Sequence, residues 1–208
     1  FVIATNQHRL TGLAAPDRKK SSNGETQLRE TEDEFIVSAK EFGYTFSKEN
    51  GALISGRVNE KEFMEAPLLP HFTRALTDNE HRGWRPDIIM HQWYENTPVL
   101  SEMNAQTDES GSTILSSRYT MIGDSVGIEV VYEVRGDGTV KVNYTVEADP
   151  KLPNIPKVGM QTGINRDLSR ITWYGRGPLE NYCDRKQGSY VAIYSKNLKN
   201  FTEPYAYP

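Results

Sequence analysis

The feature that most constrains the fold is the regular alternation of apolar residues between positions 126 and 146. An apolar side chain occupies every second position in each half of this stretch, which is typical of a β-strand with one buried face. These side chains are Ile128, Val130, Tyr132 and Val134 in the first half and Val140, Val142, Tyr144 and Val146 in the second. Gly136-Asp137-Gly138 between the halves supplies turn residues. The stretch therefore predicts a β-hairpin.

The same kind of alternation, interrupted by turn residues, predicts further strands. A second hairpin is predicted over residues 35–54, where Glu49-Asn50-Gly51 reverses the chain. Additional strands are predicted at residues 113–121, 170–174 and 189–194. No segment shows helical periodicity with caps over three turns. Many short strands without interleaved helices are typical of an antiparallel sandwich or barrel, so the sequence predicts an all-β protein.

Composition excludes several classes of protein. A chain of 208 residues with 37% hydrophobic and 25% charged residues is typical of a globular protein that buries a core. A formal net charge of -4 argues against a nucleic-acid surface. No apolar run approaches the ~20 residues that a membrane-spanning helix needs, and the one cysteine, Cys183, has no internal disulfide partner. We therefore expect neither a nucleic acid nor a membrane as a partner.

The organisation of the chain differs between its parts. Residues 1–28 begin with an apolar stretch and continue into polar residues with Pro, Ser, Asn and Gly, which are typical of a linker. We interpret them as the last strand of a preceding domain plus a connector. Residues 67–98 lack alternation and predict a long structured loop system, a kind of segment that often carries function. Because the chain begins with Phe1, we expect it to be part of a longer protein.

Polar residues in the loop system form a candidate carbohydrate site. Carboxylate, amide and guanidinium groups can hydrogen-bond sugar hydroxyls, and the nearby rings of Phe72, Trp84 and Trp93 can stack on the apolar face of a sugar. The carbohydrate-facing candidates are Arg74, Asp78, Asn79, Glu80 and Trp84. The alternative is a loop whose Asp and Asn side chains close turns by bonding neighbouring backbone amides. Residue chemistry alone favours this alternative.

Three histidines recur at ten-residue spacing, and histidine is a common metal ligand. His71, His81 and His91 show neither the two-residue nor the four-residue spacing of zinc sites, and no cysteine lies beside them. We expect partly exposed loop histidines, and no metal or cofactor in this chain.

The stretch WYGRGPLENYCDR at residues 173–185 concentrates rings, glycines and charges. Glu180 and Asp184 are candidates for the two carboxylates of a retaining glycosidase. Neighbouring basic residues would keep both acids ionised, whereas a general acid needs a raised pKa. We therefore interpret the stretch as an ion-paired scaffold around a tight turn. The structural residues of this motif are Trp173, Gly175, Arg176, Gly177, Pro178, Glu180, Asn181, Tyr182, Asp184 and Arg185.

Two stretches together resemble a known family. FTRALTDNE at residues 72–80 and WYGRGPLENYCDR at residues 173–185 are similar to the motifs WRAPTDND and WYGRGPxENYxDR of the C-terminal domain of glycoside hydrolase family 2 β-galactosidases. The resemblance covers roughly residues 30–208. The early motif departs from the family at Thr73, Leu76 and Glu80, where Trp, Pro and Asp are usual, so this loop is expected to close differently.

The resemblance implies a large antiparallel β-sandwich of the galactose-mutarotase-like (supersandwich) kind. It implies that residues 29–208 form this domain, incomplete at its C-terminal side, and that residues 1–28 end an immunoglobulin-like domain. The family's catalytic glutamates lie in a central barrel that this sequence does not contain, and Mg or Na, often used by the family, bind in other domains. No catalytic residue is therefore assigned to this chain.

These observations predict a non-catalytic C-terminal domain fragment of a β-galactosidase-type glycoside hydrolase that supports the active site. The alternative is an autonomous carbohydrate-binding β-sandwich module. An aldose epimerase follows from fold analogy alone. Expected partners are the other domains of the parent hydrolase, a galactoside or other glycan, and a second copy paired through exposed sheet edges. Cytoplasmic and periplasmic locations both stay open.

Overall fold

A computed structural model describes Gln7, residues 24–179, Asn181 and residues 186–201. Strands account for 51% and helices for 11% of the structure, and the sheets are antiparallel, which confirms the all-β prediction. The chain divides into two compact units, a larger one, Ser21–Asn165, and a smaller one made of Arg166–Pro208 together with Phe1–Lys20. In the described part of the chain, every helix is too short or too polar to cross a membrane.

The strands of the larger unit form two antiparallel sheets. The first sheet has the order β1-β2-β3-β4-β6-β11, with β5 beside β4, and the second has the order β10-β9-β8-β7. The strands of the first sheet are β1 (Gln27–Glu30), β2 (Glu34–Ser38), β3 (Phe42–Ser47), β4 (Leu53–Val58), β5 (Lys61–Glu62), β6 (Met64–His71) and β11 (Gly159–Ile164). Those of the second are β7 (Val99–Thr107), β8 (Thr113–Met121), β9 (Val126–Val134) and β10 (Val140–Ala148).

The core lies between these two sheets. Phe46 of β3 and Tyr132 of β9 are fully buried, and their ring centroids are 5.1 Å apart in an edge-on arrangement. Val37 of β2 and Leu115 of β8 are also fully buried within the same hydrophobic cluster. Ser117 of β8 donates a hydrogen bond of 2.7 Å to the backbone carbonyl of Gly51 in the first sheet's β3–β4 turn. These contacts make the unit a β-sandwich, as the sequence predicts.

The hairpin predicted from the alternation at residues 126–146 is confirmed. Val134 of β9 pairs with Val140 of β10, and the antiparallel register continues to the pair Val126 and Ala148. Gly138 lies in the turn with a φ of +83°, a conformation that glycine adopts without a steric penalty. The alternate apolar residues of β9 are buried on the inner face.

The loop system predicted at residues 67–98 begins later than expected. Strand β6 continues through two prolines to His71, pairing with β11 along most of its length. Three short helices follow the strand, namely α1 (Asp78–Arg82), α2 (Pro86–Ile89) and α3 (His91–Glu95). A proline argues against a strand because it lacks the N–H donor, but β6 includes Pro67, next to the irregular pairing of Gly163 with Ala66, and Pro70, which is in register with Met160.

Among its described residues, the smaller unit contains a two-stranded antiparallel sheet, formed by β12 (Arg170–Gly177) and β13 (Tyr190–Asn197). Two 3-10 turns, Lys186–Gly188 and Leu198–Asn200, flank β13. The side-chain amide of Gln7 pairs with the backbone of Val191, accepting from its N–H at 2.6 Å and donating to its carbonyl at 2.9 Å. A side chain thus satisfies backbone groups of β13 that point away from β12.

Candidate functional site

The loop that carries the carbohydrate-facing candidates, called the candidate loop below, follows β6 and leads into α1. It begins with a buried aromatic residue. Phe72 follows the last residue of β6 and is buried, with its ring centroid 5.5 Å from that of Trp93 in α3 and 6.4 Å from that of Tyr144 in β10. The indole Nε1 of Trp93 donates to the carbonyl of Pro153 at 3.0 Å. The sequence suggests Phe72 and Trp93 as sugar-stacking rings, but both are buried in the core. Their burial makes them supports of the loop.

A capping box organises the next turn of the loop. Thr77 is the N-cap of α1, and its hydroxyl accepts a hydrogen bond of 3.3 Å from the Glu80 N–H. The Glu80 carboxylate in return accepts from the Thr77 N–H at 3.0 Å. This reciprocal arrangement satisfies two donors that a helix N-terminus otherwise leaves unpaired. The spacing Thr-x-x-Glu is a sequence signal from which this helix start could have been predicted.

The same carboxylate forms a bidentate ion pair with Arg74. Arg74 Nη1 donates to Glu80 Oε2 at 2.7 Å, and Nη2 donates to the second carboxylate oxygen. Hydrogen bonding from Arg74 and then from the Thr77 backbone lowers the pKa of Glu80 to about 2. Two of the five carbohydrate-facing candidates are therefore engaged with each other.

The other three carbohydrate-facing candidates are exposed. Asp78 and Asn79 lie in the first turn of α1, and Trp84 lies two residues beyond its end, with 47% of its surface exposed. The structure thus places the candidates on one short helix and its flanks, where an ion pair, two exposed polar side chains and an exposed indole occur within eleven residues. Such groups can form hydrogen bonds and ring contacts to a sugar.

The Arg74–Glu80 pair gives a prediction for acid stability. The pKa of Glu80 lies below its unfolded value of 4.5, so its contribution is fully present above that value and is lost as pH falls towards about 2. Glu80→Gln is expected to destabilise the chain by about 2 kcal/mol at neutral pH, since it removes hydrogen bonds between charged groups, and by much less near pH 2. Urea unfolding at several pH values measures both effects.

Asp78→Asn is the matched control for this prediction. It removes a carboxylate from the same helix, but Asp78 is exposed, so the expected change is about 0.3–1 kcal/mol from the helix dipole alone. Equal losses for the two variants at neutral pH would contradict the structural role of the Arg74–Glu80 pair.

Residues 173–177 of the late motif form the second half of β12. The ring of Trp173 lies 5.4 Å from that of Tyr194 and 5.8 Å from that of Phe201. Its Nε1 donates to the Arg176 carbonyl at 3.0 Å. A Cβ atom at Gly177 would lie 2.7 Å from the Tyr194 ring, so only glycine leaves room for this packing. Aromatic packing therefore dictates the small residue at this position.

Polar residues of the late motif bind to backbone. Arg176 donates from Nη1 to the carbonyls of Lys186 at 2.9 Å and Ser189 at 2.7 Å. Asn181 donates to the carbonyls of Arg176 at 3.2 Å and Leu179 at 3.3 Å. These contacts are of the kind that a scaffold requires. Gly175 lies in β12, and Pro178 is the first residue after this strand.

Four members of the motif cannot be placed. Glu180, Tyr182, Asp184 and Arg185 lie outside the described residues, as does Cys183. The ion pairs expected among Glu180, Asp184 and Arg185 stay a prediction.

The three histidines have separate surroundings, and the prediction that they lie in loops is wrong, since His71 ends β6, His81 lies in α1 and His91 begins α3. His71 lies at the end of β6 between Thr73 and Lys157, and the His91 Nδ1 lies 3.0 Å from the carbonyl oxygen of Ile88. Within the described ranges, no group of three or more His, Cys, Asp or Glu side chains is arranged to hold a metal ion. The contact of His71 with Lys157 carried no sequence signal, because 86 positions separate the two residues.

Comparison with known proteins identifies the family. The model of the β-galactosidase small chain matches residues 38–208. A β-galactosidase of Clostridium acetobutylicum is 34% identical over 160 residues, which are 76% of this chain and 18% of that protein. β-Galactosidases of Priestia megaterium and Halalkalibacterium halodurans are 27% and 26% identical, over 100% and 99% of this chain and 20% and 21% of theirs.

This chain thus spans about a fifth of the length of these curated relatives. The matched region includes both motifs, the candidate loop on α1 and the β12–β13 hairpin. Most of the all-β structure described above therefore lies within the matched region. The chain belongs to the β-galactosidase small chain family.

Proposed function

We propose that this chain is a non-catalytic β-sandwich domain of a β-galactosidase-type glycoside hydrolase, which hydrolyses terminal β-galactosides through residues elsewhere in the parent protein. The main support for the proposal is that relatives match nearly all of this chain but only a small part of their own sequence. Relatives described as β-galactosidases match 99–100% of this chain with only 20–21% of their own length. The chain corresponds to one part of a much larger enzyme, and its role is to support the active-site architecture.

The electrostatics of the described acids support a structural role. A glycosidase needs a carboxylic acid with a raised pKa. Burial raises the pKa of Glu62, but hydrogen bonds from Ser55 and the Met64 backbone outweigh it and lower the value to about 2. Glu80, with a pKa of about 2, is similarly held ionised by Arg74. Carboxylates held ionised in this way suit anchoring interactions and not proton donation.

The geometry of α1 supports a contact with carbohydrate as part of that role. The Arg74–Glu80 ion pair fixes the start of the helix, while Asp78, Asn79 and Trp84 are exposed beside it. We propose that residues 70–84 line the edge of the parent's sugar site and that the late motif is scaffold. No cofactor is proposed for this chain.

The proposed partners are the other domains of the parent protein. We also propose that residues 29–208 act as one domain and that residues 1–28 belong to the end of the preceding one. Strands β7 and β10 are the edges of the second sheet, and exposed edges can pair with another chain. Self-association through such an edge is therefore a secondary proposal for the chain in isolation.

Complementation tests the proposed function. The parent protein lacking this segment is mixed with the purified chain, and hydrolysis of a chromogenic β-galactoside is measured. Restored activity is expected with the native chain and reduced restoration with Trp93→Ala, whose core support is lost. Full activity of the parent without the segment, unchanged by adding the chain, would overturn the proposal.

The second candidate function is an autonomous carbohydrate-binding module, favoured by the exposed Trp84 beside Asp78 and Asn79. Calorimetry with galactose and lactose at millimolar concentration tests it. Binding lost in Trp84→Ala but kept in Ile88→Ala, which removes another exposed apolar side chain four residues further along the chain, would support this function. Absence of heat with the native chain would remove its support.

A further inference from the structure

One side-chain contact joins the end of β6 to the segment that leads into β11. The Nζ of Lys157 lies 2.6 Å from the Nδ1 of His71, and the Oγ1 of Thr73 lies 3.3 Å from the Nε2 of the same ring. His71 is the last residue of β6 and pairs with Gly159, the first residue of β11. The contact therefore spans one end of this strand pair.

The chemistry of the two side chains fixes the protonation of the ring. A lysine ammonium has three donors and no acceptor, so the Nδ1 of His71 must accept the hydrogen bond from Lys157. The ring is then neutral, with its proton on Nε2, where the Thr73 hydroxyl oxygen accepts. Protonation of Nδ1 would remove this acceptor and place two positive charges in contact.

We propose that His71 and Lys157 form a pH-sensitive latch, which holds the end of the β6–β11 pair while the imidazole is neutral and opens when the imidazole takes up a proton. The pKa of His71 lies below its ordinary value, because burial disfavours the charged ring and Lys157 repels it. The folded chain therefore binds this proton less readily than the unfolded chain, so stability falls as pH drops through the histidine range.

Among the charged groups described near the His71 ring, Lys157 is the one that affects its pKa. The six residues of β11 include no ionisable side chain, and β4, on the other side of β6, pairs with it at Leu53 and Leu68. Arg74, three residues beyond His71, is held by Glu80. In the described part of the chain, the charge that lowers the His71 pKa is that of Lys157.

Opening of the latch has a local consequence. Thr73 bonds the same ring and is the second residue of the loop that leads to α1. Loss of the neutral ring releases Lys157, two residues before β11, and alters the hydrogen-bond partner of Thr73 at the start of the loop. Acid is therefore expected to loosen residues 159–161 before it unfolds the sandwich core.

Amide hydrogen exchange tests the latch. Protection of residues 159–161, corrected for the intrinsic pH dependence of exchange, is measured between about pH 7.5 and about pH 4; the range extends well below the ordinary histidine pKa because the pKa of His71 is lowered in the folded chain. A loss of protection in acid is expected at those amides of this stretch that bond β6, which in an antiparallel pair are alternate residues, and not at Val130 in the centre of the second sheet. Unchanged protection at residues 159–161 would overturn the proposal.

Three variants sharpen this test. His71→Gln keeps an acceptor that does not titrate, so protection should become independent of pH, and an undiminished acid loss would contradict the latch. Lys157→Met removes the repelling charge, so the His71 ring should titrate at a higher pH by NMR than in the native chain, and an unchanged titration would contradict it equally. His91→Gln replaces an exposed histidine outside the latch and should leave the acid loss unchanged.

Discussion

Gly51→Ala is expected to destabilise the larger unit by about 3 kcal/mol. Gly51 has a φ of +68°, and an L-residue in the left-handed region costs roughly 1–2 kcal/mol. Its added Cβ would lie 2.5 Å from Leu100 Cδ1 and 2.7 Å from the Tyr119 hydroxyl, and overpacking of this kind costs about 1–3 kcal/mol. Urea unfolding followed by far-UV circular dichroism measures the loss.

Gly123→Ala separates the cost of the left-handed backbone from the cost of overpacking. Gly123 has a φ of +62°, but a Cβ there would meet no atom within 4 Å. It therefore carries the backbone cost alone, and a loss of about 1 kcal/mol is expected. If both variants lose the same free energy of unfolding, the close approach of Gly51 to the second sheet is not a feature of the protein in solution.

Trp93→Ala is expected to cost about 3–5 kcal/mol, the range for truncating a large buried aromatic side chain. Trp93 is 1% exposed and packs on Phe72. Removal leaves a cavity beneath the candidate loop and takes away the donor that bonds the Pro153 carbonyl. Chemical denaturation followed by circular dichroism avoids the loss of tryptophan fluorescence and gives the change directly.

Trp84→Ala is the matched control, because the same side chain is removed where it is 47% exposed. Surface substitutions of this kind usually change stability by less than about 0.5 kcal/mol. Similar losses for the two tryptophans would contradict their assignment to the core and to the exposed face of the loop.

Strands with an uninterrupted two-residue period could be predicted from the sequence. The hairpin of β9 and β10 has its predicted turn, and β8 spans the predicted residues 113–121. The turn predicted at residues 49–51 lies between β3 and β4. In each case one face of the strand is buried against the opposite sheet. Apolar residues therefore occur at every second position, and this period can be recognised in the sequence.

Strands with interrupted periods could not be predicted. Strand β7 has a register shift between Leu100 and Glu102, and β11 has two shifts around Gly163. A shift inverts the inward and outward positions, which breaks the alternation along the strand. The turn between β2 and β3 was missed because residues 39–41 include no Gly, Pro, Asn or Asp.

The sequence predicts which residues belong to the candidate site, but not how their side chains are arranged. The sequence drew attention to Arg74, Asp78, Asn79, Glu80 and Trp84, but it could not show that Arg74 and Glu80 bind each other while Trp84 is exposed. Burial of Phe72 and Trp93 depends on contacts with β10 and Pro153, more than 50 residues away. Sequence patterns reflect neighbouring residues only, so these distant side-chain contacts could not be predicted from the sequence.

The non-catalytic role of this domain is tested by assaying the purified chain alone with a chromogenic β-galactoside. The domain is proposed to support catalysis performed elsewhere in the parent protein, so no hydrolysis above that of buffer is expected. Turnover by the isolated chain that is abolished in Glu180→Gln would contradict the account, because it would place a catalytic carboxylate within the late motif.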